Sequence, residues 1–492
     1  MRWLTILLWA QALTLGASTQ PNLVVIVIDD MGWQDTSVAF HTEVTPLNRL
    51  HRTPAMERLA AEGLKFTQAY ASAVCSPSRV SLLTGMNAAR HGVTNWTLHA
   101  ERSPDQPHPQ LTLPDWPRAG LAAQSGTPHT VVATPLPALL RAAGYRTIHI
   151  GKAHFGAIGT PGADPRNLGF DFSIAGHAAG GPGSFLGEKN YSARWRGGEA
   201  HWDVPDLSAH AARGINLTEA LTLEAVQAVE TCVKSRKPFF LHLSHYAVHA
   251  PWEADARFIA RYEQAGLKGR EAAHASMVEA VDKSVGDVLR TLDRLGIADS
   301  TLVILVSDNG VPAELPRNFP LRGHKLSPYE GGIRVPALVR WPGVVKPGRT
   351  ETTPVIIEDI FPTLLEAAGI TASAPLPITQ KVDGLSWLPL FKETAPFRAA
   401  RPLLFHFPNF YNGQQPYSVV LQEDWKLIHS IATGELELYH LKQDLGERNN
   451  LIQREPQRAA DLASLLAREL RSRGALMPTL RGTGELCAYP GE

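Results

Sequence analysis

Residues 22–28 read Asn-Leu-Val-Val-Ile-Val-Ile, an apolar run without polar alternation. A strand with one wet face alternates, so a run like this predicts a strand buried on both faces, with helices packed above and below. The unit recurs along the chain. Thr53-Pro54 opens a helix that Gly63 closes, and residues 137–143 form a second, closed by Gly144 and followed by an extended segment over 145–150. A helix over 217–234 precedes a strand over 239–244, and a long helix over 271–295 precedes the apolar run 301–306. Helices alternating with buried strands predict an α/β fold, with a large mixed, mostly parallel sheet sandwiched by helices.

The pattern changes after about residue 395. Short alternating runs over 417–421, 425–429 and 436–441 predict antiparallel strands, and a last helix over 456–471 is placed to cover them. The expected division is therefore a large domain over 18–395 and a small C-terminal subdomain over 396–492, an antiparallel sheet with a helix. Residues 100–135 and 156–215 are rich in Gly, Pro, Ser and His and predict surface or binding loops. Met1-Arg2, an apolar run from Trp3 to Leu15 and the small residues Gly16-Ala17 predict a signal peptide over 1–17, hence export to the periplasm or the extracellular space. An uncleaved N-terminal anchor is the alternative; no later run is long enough to span a bilayer.

Lys+Arg and Asp+Glu stand at 47 each in 492 residues, so no net field favours nucleic acid or an acidic membrane. Three cysteines are too few for disulfides to carry the fold; Cys232 and Cys487 are free to pair, leaving Cys75 alone. Nothing in the sequence sets an oligomeric state.

Chemistry-bearing residues collect where strands end. Asp29-Asp30 follows the first buried strand and Asp308-Asn309-Gly310 follows another, and ligand sites of open α/β sheets form at those carboxyl ends. Either segment alone reads as turn chemistry; together they make a hard, oxygen-only donor set suited to Ca²⁺ or Mg²⁺. Cys75 starts a helix running to Thr84, where free N–H groups favour an anion, and Arg79 returns to the same face one turn later. Lys152 and His154 lie just past the strand ending at 150, and an extended segment there points both side chains to one side. His249 follows the strand 239–244, and Lys325 precedes the Gly331-Gly332 turn.

These motifs resemble the formylglycine-dependent sulfatases of the alkaline-phosphatase superfamily (type I sulfatases). The segment Cys75-Ser76-Pro77-Ser78-Arg79, continuing to Thr84-Gly85, is similar to that family's signature. So are Asp29-Asp30, Gly151-Lys152-x-His154, Asp308-Asn309-Gly310, the block Tyr329-Glu330-Gly331-Gly332-Ile333-Arg334, and the stretch from Asp424-Trp425-Lys426-Leu427 to Leu438-Tyr439. The resemblance implies that a maturation enzyme oxidises Cys75 to formylglycine. It implies that Asp29, Asp30, Asp308 and Asn309 hold Ca²⁺, ahead of Mg²⁺, with position 75 as a further ligand. Arg79 and Lys152 would hold the hydrated aldehyde, one hydroxyl of which attacks sulfur, with Asp308 aiding its deprotonation. His249, with Lys325, would serve the leaving oxygen, and His154 would take a proton from the second hydroxyl to expel sulfate. Fixed cations and a metal answer the charge that builds on the leaving oxygen.

The chain departs from the family pattern at Ala153, Val248 and His324, positions that shape the substrate and leave every catalytic group in place. His324, and His177 in the Gly-rich loop 176–183, are candidate sugar contacts, or ordinary loop histidines. Export and the long polar loops point to a sulfated saccharide, cleaved by an exo-acting enzyme. Two other functions fit the same residues: a phosphodiesterase or phosphonate monoester hydrolase of the superfamily, and a catalytically inactive binder of sulfated glycans. Turnover of an aryl sulfate against an aryl phosphodiester separates the first, and a Cys75→Ala variant the second.

Overall fold

The computed structural model describes residues 20–114, 118–315, 318–370, 376–394 and 401–492. The leader expected over 1–17 and the division expected at 395/396 fall outside the described residues. No helix among those residues is long and apolar enough to cross a membrane.

The centre is a nine-stranded sheet. Its long strands are β1 (Asn22–Ile28), β2 (Leu64–Tyr70), β3 (Arg146–Gly151), β4 (Phe172–Ile174), β5 (Phe239–Ser244), β6 (Thr301–Ser307) and β7 (Arg334–Arg340). They lie in the order β2-β7-β6-β1-β5-β3-β4, and the short segments Arg349–Glu351 and Val355–Ile356 pair with β2. β7 alone among the long strands runs antiparallel to its neighbours; the others are parallel. Both faces of β1 are buried, as its composition requires. Leu23, Val25 and Val27 enter one core, while Val24, Ile26 and Ile28 enter the other. The first core takes in α2 (Cys75–Thr84) and α5 (Ile360–Ala367); the second takes in α3 (Leu217–Ser235) and α4 (Gly269–Arg294). Helix α1 (Pro54–Ala61) packs Met56 and Leu59 into the second core.

The C-terminal part is a four-stranded antiparallel meander, β8 (Leu403–Phe407), β9 (Tyr417–Gln422), β10 (Trp425–Ser430) and β11 (Leu436–His440), covered by α6 (Pro456–Arg473). Leu404, Val420, Leu427 and Leu438 face Leu462, Leu466 and Leu470 of the helix. Phe405, Val419 and Ile428 face Tyr70, Ile333 and Ile356 of the large domain. Across that contact the buried Lys426 ammonium bridges Glu330, at 3.0 Å, and Glu447, at 2.8 Å.

Two readings of the sequence need correction. The segment after β3 is not extended: Gly151 and His154 both take positive φ, 99° and 54°, and the chain turns out of the sheet there. A Cβ at Gly151 would lie 1.9 Å from the Ser244 carbonyl oxygen, so the turn is open only to glycine. Cys232 and Cys487 do not pair: all three cysteines are free, Cys232 in the second core and Cys487 in a separate cluster with Leu111, Ile431 and Met477.

Candidate active site

Strands β1, β6, β5 and β3 are neighbours, so the residues just past each of them emerge at one sheet edge. Asp29-Asp30 follows β1 and Asp308-Asn309 follows β6. The Asp30 amide donates to Asp308 Oδ1 at 3.2 Å, which locks the two turns together. Helix α2 brings Cys75 to this edge by its N-terminus, where Val74 supplies no side-chain cap, and Gly85 ends it at φ 68°. The whole helix is buried, Arg79 included. Such a cation needs partners. Arg79 donates from Nε and Nη2 to Asp308 Oδ2, at 2.9 and 2.6 Å, and from Nη1 to Ser244 Oγ and the Lys152 carbonyl, at 2.6 and 3.1 Å.

Three carboxylates thus meet three cations. Lys152 Nζ reaches Asp29 Oδ2 at 2.7 Å, Arg79 holds Asp308, and Lys325 Nζ reaches Asp30 Oδ1 at 2.5 Å. Burial pushes Asp29 up to about 8 against the pull of Lys152. Burial also opposes ionisation of Asp30 and Asp308, but Lys325 beside the first and Arg79 beside the second hold both below the ordinary carboxylate range. Asp29 Oδ1 and Asn309 Oδ1 are buried and take no hydrogen bond. Oxygens of Asp29 and Asp30 and the sulfur of Cys75 lie within 4.8 Å of one another. Bare buried acceptors are costly, and oxygen atoms converging this way fit a hard divalent cation such as Ca²⁺.

Cys75, Asp30, His154, His249, Lys325 and His324 line a cavity of about 630 Å³. Asp29, Arg79, Lys152, Asp308 and Asn309 are fully buried around it. His177 does not line the cavity; its carbonyl accepts the His154 N–H at 3.2 Å, and its ring lies 6.0 Å from that of Tyr246. Burial pushes the Cys75 thiol up to about 11 despite Lys152 and Lys325, so the unmodified side chain is a thiol, not a thiolate nucleophile.

Hydrogen bonds assign both histidine tautomers. His154 Nε2 donates to the Thr97 carbonyl at 2.8 Å, leaving Nδ1 with a lone pair and no partner. His249 Nδ1 donates to the Ala250 carbonyl at 2.7 Å, leaving Nε2 3.7 Å from Asp30 Oδ2. Burial holds both rings below the ordinary histidine range, His249 at about 4 despite Asp30. Each is therefore a neutral proton acceptor near pH 7.

Several participants carried no sequence signal. Ser244 ends β5 under Arg79, and Thr97 fixes the His154 tautomer. Gly180 and Gly181 back the two histidines: a Cβ on the first would lie 2.4 Å from His154 Cε1, and on the second 2.9 Å from His249 Nδ1. Trp96, Trp202, Trp252 and Tyr411 wall the cavity, and Tyr411 belongs to the loop between β8 and β9 of the C-terminal sheet.

The family model described as Sulfatase matches residues 21–370, most of the chain, including Cys75 and the carboxylates, cations and histidines around it. The chain is a type I sulfatase. A second model, N-sulphoglucosamine sulphohydrolase, C-terminal, matches residues 324–474. This sulfatase is 29% identical to a sulfatase of Formosa agariphila, over 93% of this chain and 89% of that protein. It is 32% identical to the N-acetylgalactosamine-6-sulfatase of Mus musculus, over 77% of this chain and 67% of that one. Among solved structures, Ps i-CgsB in complex with k-i-k-neocarrahexaose superposes with a TM-score of 0.72 at 25% identity, covering 92% of this chain and 93% of that one. The sulfatase is thus a sulfuric ester hydrolase of the alkaline-phosphatase superfamily, with the mixed sheet and C-terminal antiparallel sheet of its relatives.

Proposed function

We propose that this sulfatase releases sulfate from a sulfated saccharide, with Cys75 oxidised to formylglycine and Ca²⁺ held by Asp29, Asp30, Asp308, Asn309 and position 75. The observation that carries the reading is the pair of buried oxygens that take no hydrogen bond, Asn309 Oδ1 and Asp29 Oδ1 (the latter 3.6 Å from Arg79 Nη2), beside a cysteine at a helix N-terminus. When present, formylglycine supplies a hydrated-aldehyde nucleophile and Ca²⁺ supplies positive charge.

The chain's own groups do the rest. With Asp29, Asp30 and Asp308 all ionised around it, a divalent ion would sit among three carboxylates and three cations and would leave two net positive charges for an anionic ester. Arg79 and Lys152 orient Asp308 and Asp29 beside position 75. Lys325, held charged by Asp30, faces the cavity and offsets charge on the leaving oxygen. His249 Nε2, bare beside Asp30, is an acceptor on that side, and His154 Nδ1, with its free lone pair, accepts a proton at position 75. Aromatic walls suit the apolar faces of sugar rings, and the saccharides named for the relatives support this substrate class. Residues 1–17 act as a leader for export, a formylglycine-generating enzyme matures Cys75, residues 18–395 form the catalytic domain and 396–492 the C-terminal subdomain.

The test is inorganic sulfate release from a panel of sulfated mono- and disaccharides by the matured wild type and by Cys75→Ala. Wild type releases sulfate and the variant releases none. A panel left untouched by an enzyme that cleaves an aryl phosphodiester would overturn the reading.

A further inference from the structure

Beside the catalytic cavity lies a second of the same volume, about 630 Å³, which shares Ala313 and His324 with the first. Both fall within the roughly 300–1,000 Å³ of small-molecule sites. The floor of the second is apolar, with Val311, Leu315 and Leu321 buried. On its rim Phe319 is 70% exposed, an aromatic face left in water. The Arg448 guanidinium stands 5.1 Å from the centre of that ring. Arg448 makes no ion pair among the described residues. Its neighbour Arg322 is spent on the Tyr439 hydroxyl, the Glu447 carbonyl and the Tyr329 ring. Glu447 also borders the cavity, but its carboxylate is tied to Lys426 and the Glu330 amide. Among the described residues that line this cavity, the free charge is therefore positive.

We infer that the second cavity is a binding subsite for an anionic sugar joined to the one whose sulfate ester is cleaved in the first. The inference rests on the saccharide reading above. The planar guanidinium of Arg448 matches a sulfate or carboxylate through two parallel N–H donors, which a compact ammonium cannot do. Phe319 offers a face to the ring of the same sugar. His324 sits at the junction. Its Nδ1 donates to the Lys325 carbonyl at 2.8 Å, which leaves Nε2 to accept from a hydroxyl near the linkage. The substrate class is an oligosaccharide with negative charge on two adjacent units, rather than a lone sulfated monosaccharide.

The test uses wild type, Arg448→Ala, Arg448→Lys and Phe319→Ala. The substrates are 4-nitrophenyl sulfate, a sulfated monosaccharide, and disaccharides built on it whose second unit is neutral, sulfated or a uronate. In wild type an anionic second unit lowers KM roughly tenfold relative to the neutral one, the size of a charge-assisted hydrogen bond. Arg448→Ala abolishes that preference without changing kcat, and Arg448→Lys restores part of it. Phe319→Ala raises KM for every disaccharide relative to 4-nitrophenyl sulfate. The outcome that distinguishes sulfate from uronate recognition is which second unit gains more. Equal kcat/KM for mono- and disaccharides in wild type, or an anionic preference that survives Arg448→Ala, overturns the subsite alone. Cleavage of 4-nitrophenyl sulfate with every saccharide untouched would instead remove the saccharide reading, and the subsite with it.

Discussion

Replacing Lys426 by Met should weaken the contact between the two sheets by about 1–2 kcal/mol more near pH 8 than near pH 5, because a buried carboxylate loses its countercharge. The structure says which carboxylate. Glu330 keeps Arg334, at 3.1 Å, and the Tyr70 hydroxyl, at 2.9 Å, whereas Glu447 keeps only the Glu330 amide, at 2.7 Å. Burial pushes Glu447 up to about 7 even with Lys426 present. Without Lys426 the folded chain retains that proton to higher pH, while the unfolded chain releases it near 4.3. Below about pH 7 both folded chains keep that proton and the unfolded chains are alike, so the variant's deficit is small there and grows only as pH rises through 7 and above. Urea unfolding followed by tryptophan fluorescence, at about pH 5 and pH 8 with the slopes compared, reads the effect. Adding Glu447→Gln to Lys426→Met should recover about half of the loss. A deficit under about 1 kcal/mol at pH 8, or one equal at both pH values, would refute the assignment of an uncompensated Glu447.

Other perturbations separate the parts of the site. His154→Ala should lower kcat on 4-nitrophenyl sulfate about 10²–10⁴-fold with little change in KM, because its free Nδ1 serves a proton transfer; an unchanged kcat removes it from the mechanism. Chelation should abolish activity and lower the melting temperature, with Ca²⁺ restoring both better than Mg²⁺, since Asp29, Asp30, Asp308 and Asn309 form an oxygen-only set; full activity in metal-free protein contradicts this. His245 and His406 are held neutral by burial, each at about 4. Their folded values lie below the unfolded one, so stability is intact above about pH 6.5 and declines as pH falls through 4, by about 3 kcal/mol each at pH 4; a pH-independent urea midpoint between 7 and 4 would count against it. Asp105 clasps Asn95 and Asn409, each at 2.7 Å, beneath the Tyr411 loop. Asp105→Ala should raise KM for saccharides more than it lowers kcat, and a purely kcat effect would argue against a positioning role.

The sheet was legible because its strands are apolar on both faces. The bounds of β1 and β5 coincide with the expected ones, since nothing but burial satisfies those apolar runs, and those of helix α2 coincide as well. Leu403–Phe407 had no such signal: its alternation is short and follows a Pro-rich stretch, so the first strand of the C-terminal sheet emerges only from pairing with β9. Among the site residues, those just past strands were readable because a parallel sheet gathers its carboxyl ends. Lys152 and His154 reach the site by a left-handed turn, not by the extended geometry expected of them. The cavity walls were illegible. Trp96 and Tyr411 come from loops that Asp105 clasps together through Asn95 and Asn409, and Trp202 from a third loop, a meeting that local spacing does not encode.

The proposed chemistry depends most on the state of the side chain at position 75. Intact-peptide mass spectrometry of the segment spanning Cys75 to Arg79, from active protein made in its natural host, tests it directly. The expected peptide has the mass of an aldehyde in place of the thiol, in proportion to specific activity. Fully active protein carrying only the unmodified thiol would contradict it.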